Sequence, residues 1–415
     1  MSRVVAAVLA AAALTLILAG PAAARDCPAS IKAPNAIVVE TSTGEVACER
    51  AADARRPVGS AVKLMTALLT LERAELSDTF RASSYRPASV ESKIGLLPGE
   101  RMTVRDLLRG LLAESGNDAA MALAVGVSGT ERKFVRLMNR RARDLELTNT
   151  RYSNPIGLDE AGAYSSARDL VTLAKYLRTK PFFRRTTNKA AVQLTSGDHP
   201  RRFNNRNDLV ASVKWVNGVK TGHTRGAGYV LVGSGRKNGI QVVSAVLGTP
   251  SEAARDADTL RLLSFGRRSF QRITAAPEGM RVGITVPITF GNGAELELVV
   301  GPNGQRTVVP RGERDRVRVE ALSYPSEVKG PIAFGQQLGT AAVLQDGRKI
   351  ATVPLVSNAE VPAAGIAQRT KSWFSKPMAV VLAFAVLGGT VLLVRQRRRR
   401  SRGPARRARE EARTA

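Results

Sequence analysis

Pro57-Val58-Gly59-Ser60-Ala61-Val62-Lys63-Leu64-Met65-Thr66 leads into a helix expected from about Ser60 to Arg73, apolar at Val62, Met65, Leu68, Leu69 and Leu71. Residues three apart on a helix share a face, so the Lys63 amine can reach the Ser60 hydroxyl. A helix N-terminus at Ser60 offers unpaired N–H groups and the positive end of the helix dipole. Both favour an oxyanion and ease proton loss from Lys63, and a neutral lysine can serve as base for a serine nucleophile. The chain has only two histidines, His199 and His223, which argues against a Ser-His-Asp triad and leaves few imidazole metal ligands. The spacing alone is a weak signal. Ser234-Gly235-Arg236-Lys237 and Ser326-Glu327-Val328-Lys329 share it, and both read as turns.

The company of the first match is what gives it weight. Ser115-Gly116-Asn117 follows 55 residues on, in a break between helices expected over Thr103 to Glu114 and Asn117 to Val127. Lys220-Thr221-Gly222 follows 105 residues after that, in an expected strand, Val219 to Gly222, beside a Gly-rich turn. A hairpin of Ala36 to Glu40 and Glu45 to Cys48 precedes these helices, and Ser165 or Ser166 caps a further one through Leu170, Leu173 and Leu177. Strands at Gly226 to Val232 and Ile240 to Leu247, turning at Asn238-Gly239, then lead to a closing helix over Ser251 to Phe270. Strands, a long helical insert, strands and a final helix indicate an α/β (α+β) sandwich. Its antiparallel sheet uses both chain ends and carries helices on both faces.

A helix start, an interhelical loop and a strand carrying these three elements in this order resemble the penicillin-recognising serine hydrolases. More narrowly, the chain over about 33–362 resembles the serine-type D-alanyl-D-alanine carboxypeptidases, the low-molecular-mass penicillin-binding proteins. Tyr152-Ser153-Asn154-Pro155-Ile156-Gly157-Leu158 and Tyr164-Ser165-Ser166-Ala167-Arg168-Asp169 resemble the family's central signature. Asn217-Gly218-Val219-Lys220-Thr221-Gly222-His223-Thr224 resembles its third motif, and the segment with Phe334-Gly335-Gln336-Gln337-Leu338-Gly339 is similar to the β-domain that follows these catalytic domains. Two positions depart: Gly59 stands where the family usually has Ala, and Asn217 where it usually has Asp.

The resemblance implies roles. Ser60 attacks the penultimate D-Ala carbonyl of a peptidoglycan stem peptide and Lys63 deprotonates it. Ser115 relays a proton toward the leaving D-Ala, helped by Lys220. Asn117 bonds the stem-peptide backbone or positions Lys63, and the N–H groups of Ser60 and His223 form the oxyanion hole. Lys220, Thr221, Gly222, His223, Arg206 and Arg255 would hold the substrate, the two arginines and Thr221 around its carboxylate. The competing reading of either arginine is a plain surface residue in a chain with 63 Lys and Arg. β-Lactams, which mimic D-Ala-D-Ala, are expected ligands; no cofactor or metal is expected.

Three other functions share parts of this pattern. A class A β-lactamase needs a glutamate on an Ω-loop, and no Glu-x-x-Leu-Asn element lies between Ser115 and Lys220. A D,D-endopeptidase cutting cross-links uses the same site. A degenerate wall-binding module would not need Ser60, Lys63, Ser115, Asn117 and Lys220 intact.

Past about Thr274 the character changes to alternating runs, such as Leu296 to Val300 and Arg306 to Val309, between turns at Asn292-Gly293, Asn303-Gly304 and Asp346-Gly347. This reads as a small all-β domain over 274–361, after a catalytic domain over 25–273. A linker over 362–376 leads to an uncharged apolar run, Pro377 to Val394. At 1.5 Å per residue it spans about 27 Å, just sufficient for a hydrocarbon core. Trp373 and Phe374 precede it and a basic tail over 395–415 follows, with ten arginines against Glu410 and Glu411. A transmembrane helix with the tail in the cytoplasm and 25–376 outside is the expectation. Residues 1–24, with Arg3, an apolar stretch and Ala22-Ala23-Ala24, read as a secretory signal peptide. The net charge of +28 comes partly from that tail, and no nucleic-acid motif accompanies it. Cys27 and Cys48 are the only cysteines; a disulfide and two free thiols both remain open.

Overall fold

The computed structural model describes residues 25–366, 369 and 377–411; in the last segment the described side chains are those of Met378 and residues 381–398. The expected signal peptide over 1–24 therefore lies outside the described residues, as does most of the end of the linker. The chain forms two compact units, one of 25–272 with Val308–Glu313, the other of Ile273–Thr307 with the described residues from Arg314 on.

The first unit is built on a five-stranded sheet. Its strands are β1 (Asn35–Glu40), β2 (Val46–Arg50), β7 (Val216–Thr224), β8 (Gly228–Lys237) and β9 (Ile240–Thr249), in the order β2-β1-β9-β8-β7 and antiparallel throughout. Side chains of a strand alternate between faces, and β1 does so cleanly. Ile37 and Val39 enter one core with Val243, Ala245 and Leu247 of β9, while Ala36 and Val38 enter a second with Val242 and Val246. Helix α8 (Glu252–Ser269) covers that second face with Leu262 and Leu263, capped by Ser251. The first face is covered by the insert between β2 and β7. This holds α1 (Lys63–Arg73), α2 (Val104–Ala113), α3 (Asn117–Ser128), α4 (Glu131–Asp144), α5 (Ala167–Arg178) and α6 (Pro181–Thr187). The short strands β3 (Thr79–Arg81) with β4 (Arg101–Thr103), and β5 (Ala191–Leu194) with β6 (Arg201–Asn204), pair off within it.

Helix starts follow the sequence signals. Thr103 caps α2 by accepting from Asp106 N, and of the two candidate serines Ser166 caps α5 by accepting from Asp169 N. Asn238 and Gly239 both take positive φ, 53° and 79°, as a tight hairpin turn between β8 and β9 demands. Two expectations need correction. Ser234 to Lys237 is the end of β8, not a turn, and the Ser234 hydroxyl is buried against Val242 O at 3.1 Å. The expected helix from Ser60 begins as a 3-10 turn, Gly59–Val62, and becomes α-helical only at Lys63. Cys27 and Cys48 form a disulfide, tying the start of this unit to β2.

The second unit contains another five-stranded antiparallel sheet: β11 (Arg281–Pro287), β12 (Glu295–Val300), β16 (Arg348–Ser357), β15 (Gln337–Gln345) and β14 (Val317–Ser323), in that spatial order. Leu296, Leu298, Val300, Val343, Val353 and Leu355 form its core. The chain then runs as a helix over Pro377–Glu411. Among the described residues no helix is long and apolar enough to cross a membrane. The described side chains of this one take in Arg395, Arg397 and Arg398, and part of the apolar run lies outside them, so the fold does not show the expected span.

Candidate active site

The turn that carries Ser60 is pressed against strand β7. Gly59 has φ +52°, and a Cβ built on it would lie 2.9 Å from the backbone N of His223. Only glycine reaches this conformation and this contact without strain. The close approach brings the start of the 3-10 turn and the backbone of His223 side by side, where donors for one oxyanion would have to stand.

Lys63 follows one turn later and is fully buried. Its Nζ donates to Ser60 Oγ at 2.8 Å and to Ile156 O at 2.6 Å. Burial pushes the amine well below the ordinary lysine range, and the charge of Lys220 adds to that; Glu91 and Asp118 oppose it. Removing an ammonium from water without a counter-charge at contact distance favours the neutral form.

Opposite, Ser115 holds a left-handed backbone conformation, φ +69°, at the break between α2 and α3. Its Oγ accepts from Lys220 Nζ at 2.9 Å, and the same amine donates to Thr221 O at 2.9 Å. Lys220 is buried and pushed down to about 7, by burial first and by Arg206 and Arg255 besides, with Glu114 acting the other way. The site thus holds two Ser–Lys pairs, each with a buried lysine whose charge is destabilised.

Asn117 opens α3, and its Nδ2 donates to Glu91 Oε2 at 2.5 Å. The Asn117 backbone N donates to Ser92 O at 2.8 Å, and the Asp118 carboxylate accepts from the N–H groups of Ile94, Gly95 and Leu96. These bonds fix the irregular stretch before α2 against the Ser115–Asn117 loop.

A cleft of about 520 Å³ opens over these groups. Ser60, Ser115, Asn117, Arg206, Thr221, Gly222, His223 and Arg255 all line it, and Lys63 and Lys220 lie buried behind it, so the fold gathers every site residue expected from sequence. Arg206 pairs with Glu114 at 2.5 Å. Arg255 is buried, with Nε on Asp256 and Nη1 on Glu252, both at 2.8 Å, while its Nη2 has no hydrogen-bond partner among the described residues. The His223 ring stacks on Tyr229 with centroids 4.1 Å apart. Sequence reasoning missed Glu91, Glu114 and Tyr229, none of which sits in a motif whose spacing would single it out, and it missed the part played by the Ile156 carbonyl, which lies inside the central signature. Among the described residues no three His, Cys, Asp or Glu side chains gather as a metal site.

A family model described as D-alanyl-D-alanine carboxypeptidase matches residues 22–251, and one described as penicillin-binding protein 5, C-terminal domain, matches residues 270–363. The chain is 31% identical to D-alanyl-D-alanine carboxypeptidase DacF of Bacillus subtilis, over 80% of this chain and 87% of that one. It is also 31% identical to D-alanyl-D-alanine carboxypeptidase DacA of Escherichia coli, over 80% and 84%. Penicillin binding protein 5 from Haemophilus influenzae superposes with a TM-score of 0.59 at 27% identity, covering 81% of this chain and 99% of that one.

Proposed function

The chain belongs to the D-alanyl-D-alanine carboxypeptidase family, and from that premise we propose that it removes the terminal D-alanine of peptidoglycan stem peptides through an acyl-enzyme on Ser60. The observation that carries this reading is the 2.8 Å contact between Lys63 Nζ and Ser60 Oγ, with a base whose protonated form is disfavoured by burial.

Neutral Lys63 takes the Ser60 proton as Oγ attacks the carbonyl carbon of the penultimate D-Ala. The oxyanion sits between the N–H groups of Ser60 and His223, an arrangement in which one donor is worth roughly 3–4 kcal/mol of transition-state stabilisation. As the C–N bond breaks, Ser115 Oγ–H delivers a proton to the leaving nitrogen and takes one back from the Lys63 ammonium, which leaves Lys63 neutral again; Lys220 Nζ at 2.9 Å holds that hydroxyl in place. Water then attacks the ester, with Lys63 again the base, and releases the shortened peptide. The free Arg255 Nη2, Thr221 and Arg206 receive the terminal carboxylate of the substrate. The ion pairs at Nε and Nη1 fix the buried guanidinium, so Nη2 is held in place for the anion rather than recruited to it. β-Lactams acylate the same serine in this reading.

We further place the catalytic unit outside the cytoplasmic membrane, exported by residues 1–24 and tethered by Pro377 to Val394. The support is the uncharged 18-residue run, the aromatic pair before it and the arginines after it. The described side chains from Phe384 to Leu392 add to it, with Phe384 71% and Leu392 68% exposed.

The decisive assay incubates the full chain with a stem pentapeptide and with a cross-linked dimer and reads products by mass. Loss of one alanine from the pentapeptide is the expected result. Cleavage of the dimer alone would make the protein an endopeptidase instead, and no cleavage of either would overturn the reading.

A further inference from the structure

Glu91 stands out among the acidic side chains that line the cleft. Glu252 is ion-paired with Arg255, and Glu114 behind the rim with Arg206. Glu91 makes no ion pair among the described residues; its partners are neutral. Tyr85 Oη and Asn117 Nδ2 both donate to Oε2, and Ala88 N donates to Oε1 at 3.1 Å. A carboxylate has about four acceptor positions, so one is left open. Burial alone would raise its pKa, but the bonds from Tyr85, Asn117 and Ala88 and the charge of Lys63 hold it below the usual glutamate range, so the negative charge persists at neutral pH.

Glu91 lines the same cleft as Arg206, Arg255 and Thr221, the groups read above as holding the C-terminal carboxylate of the peptide. Its charge reaches Lys63, whereas those of the two arginines reach Lys220. Glu91 is bonded to Asn117, the residue read above as a partner of the stem-peptide backbone. With the terminal carboxylate on Arg255 Nη2 and the penultimate carbonyl over Ser60, the residue before the scissile dipeptide falls beside Asn117. In a stem peptide that residue is a diamino acid, whose side chain ends in an amine.

We propose that Glu91 is a specificity-determining residue that receives the free ω-amine of the diamino acid preceding D-Ala-D-Ala. The proposal rests on the carboxypeptidase reading. It makes the protein a selector of uncross-linked stems, because an ω-amine already joined to another chain carries no charge for Glu91 to meet. Tyr85 and Asn117 hold the carboxylate in one orientation, so the ion pair forms without ordering a loose side chain.

The test uses two tripeptides, each an α-N-acetylated diamino acid followed by D-Ala-D-Ala, with the ω-amine free in one and acetylated in the other. Hydrolysis of the acetylated peptide reads the carboxypeptidase activity by itself. The ratio of kcat/KM between the two reads Glu91, since any effect on Ser60 or Asn117 common to both cancels. The parent is expected to favour the free amine about five- to tenfold, the scale of one charge-assisted hydrogen bond at a partly buried site. Glu91→Gln, which keeps an acceptor for Tyr85 and Asn117, should bring the ratio near one through KM. Glu91→Lys should reverse it in favour of a peptide with a succinylated ω-amine. A parent that hydrolyses both peptides equally well, or a Glu91→Gln variant that keeps the full preference, overturns the proposal while leaving the activity intact. No hydrolysis of either peptide by the parent overturns the carboxypeptidase reading and this proposal with it.

Discussion

Lys63 Nζ lies 2.8 Å from Ser60 Oγ and 2.6 Å from Ile156 O, and the lysine is fully buried. A lysine in water titrates near 10.4 and is almost wholly charged at neutral pH, so as a base it depends on this enclosure. Lys63→Arg keeps the charge but cannot give up its proton. The expected outcome is a loss of penicillin acylation of at least about two orders of magnitude. Stopped-flow acylation of a variant first shown to be folded makes the measurement, and a rate within tenfold of the parent would sink the base assignment.

Three Ser-x-x-Lys segments occur in the chain, and burial separates two of them. Ser234 Oγ is held inside the sheet against Val242 O, whereas Ser60 lines the cleft. Peptide mapping after penicillin treatment should place a single adduct on Ser60, and Ser60→Ala should abolish it. An adduct on Ser234 or Ser326 would contradict the site.

The motif residues were legible because each chemical role depends on a short local spacing: Ser60 and Lys63 share a face, and Ser115 and Asn117 flank a helix break. The misreading of Ser234 to Lys237 has a packing cause. Gly235 reads as a turn residue, yet a Cβ there would come within 2.5 Å of the Trp215 ring, so the glycine marks a side chain lying across β8 rather than a bend. Helix α4 was missed because only Phe134, Met138 and Ala142, spaced four apart, are buried along an otherwise charged sequence. Glu91 was invisible for a different reason. It acts from an irregular stretch whose position is set by tertiary bonds to Asn117 and Asp118, and no periodicity reports those.

The Cys27–Cys48 bond closes a loop with a separation of 21 residues. In the loop-entropy model such a link stabilises by about 3 kcal/mol. Replacing both cysteines by alanine should lower the urea midpoint of the isolated parent by that equivalent, and a reductant should reproduce most of the shift. Equal midpoints with and without reductant would show that the bond contributes nothing to stability.

Membrane attachment should reside in Pro377 to Val394. Truncation after Lys376 is expected to release a protein that still binds penicillin into the soluble fraction. If the truncated form pellets with membranes after a high-salt wash, another surface is an anchor.

The last expectation concerns the coupling of the two lysines. Acylation needs neutral Lys63, so its rate rises with pH through the Lys63 pKa and then levels off. Burial is the larger cause of that lowered pKa, and the Lys220 charge is the second. Lys220 itself is pushed down to about 7, so on the acid side of neutrality it is charged and holds the Lys63 limb low. Lys220→Gln removes the charge, and the sign is then fixed: Lys63 keeps its proton more readily, and the acid limb moves to higher pH. Lys220→Arg keeps the charge, so its limb should stay where the parent's lies even if the rate falls everywhere because Ser115 is held differently. The measurement is the penicillin acylation rate of the three proteins across pH. An unmoved limb in Lys220→Gln, or an equal movement in both variants, would show that Lys220 acts on Ser115 alone.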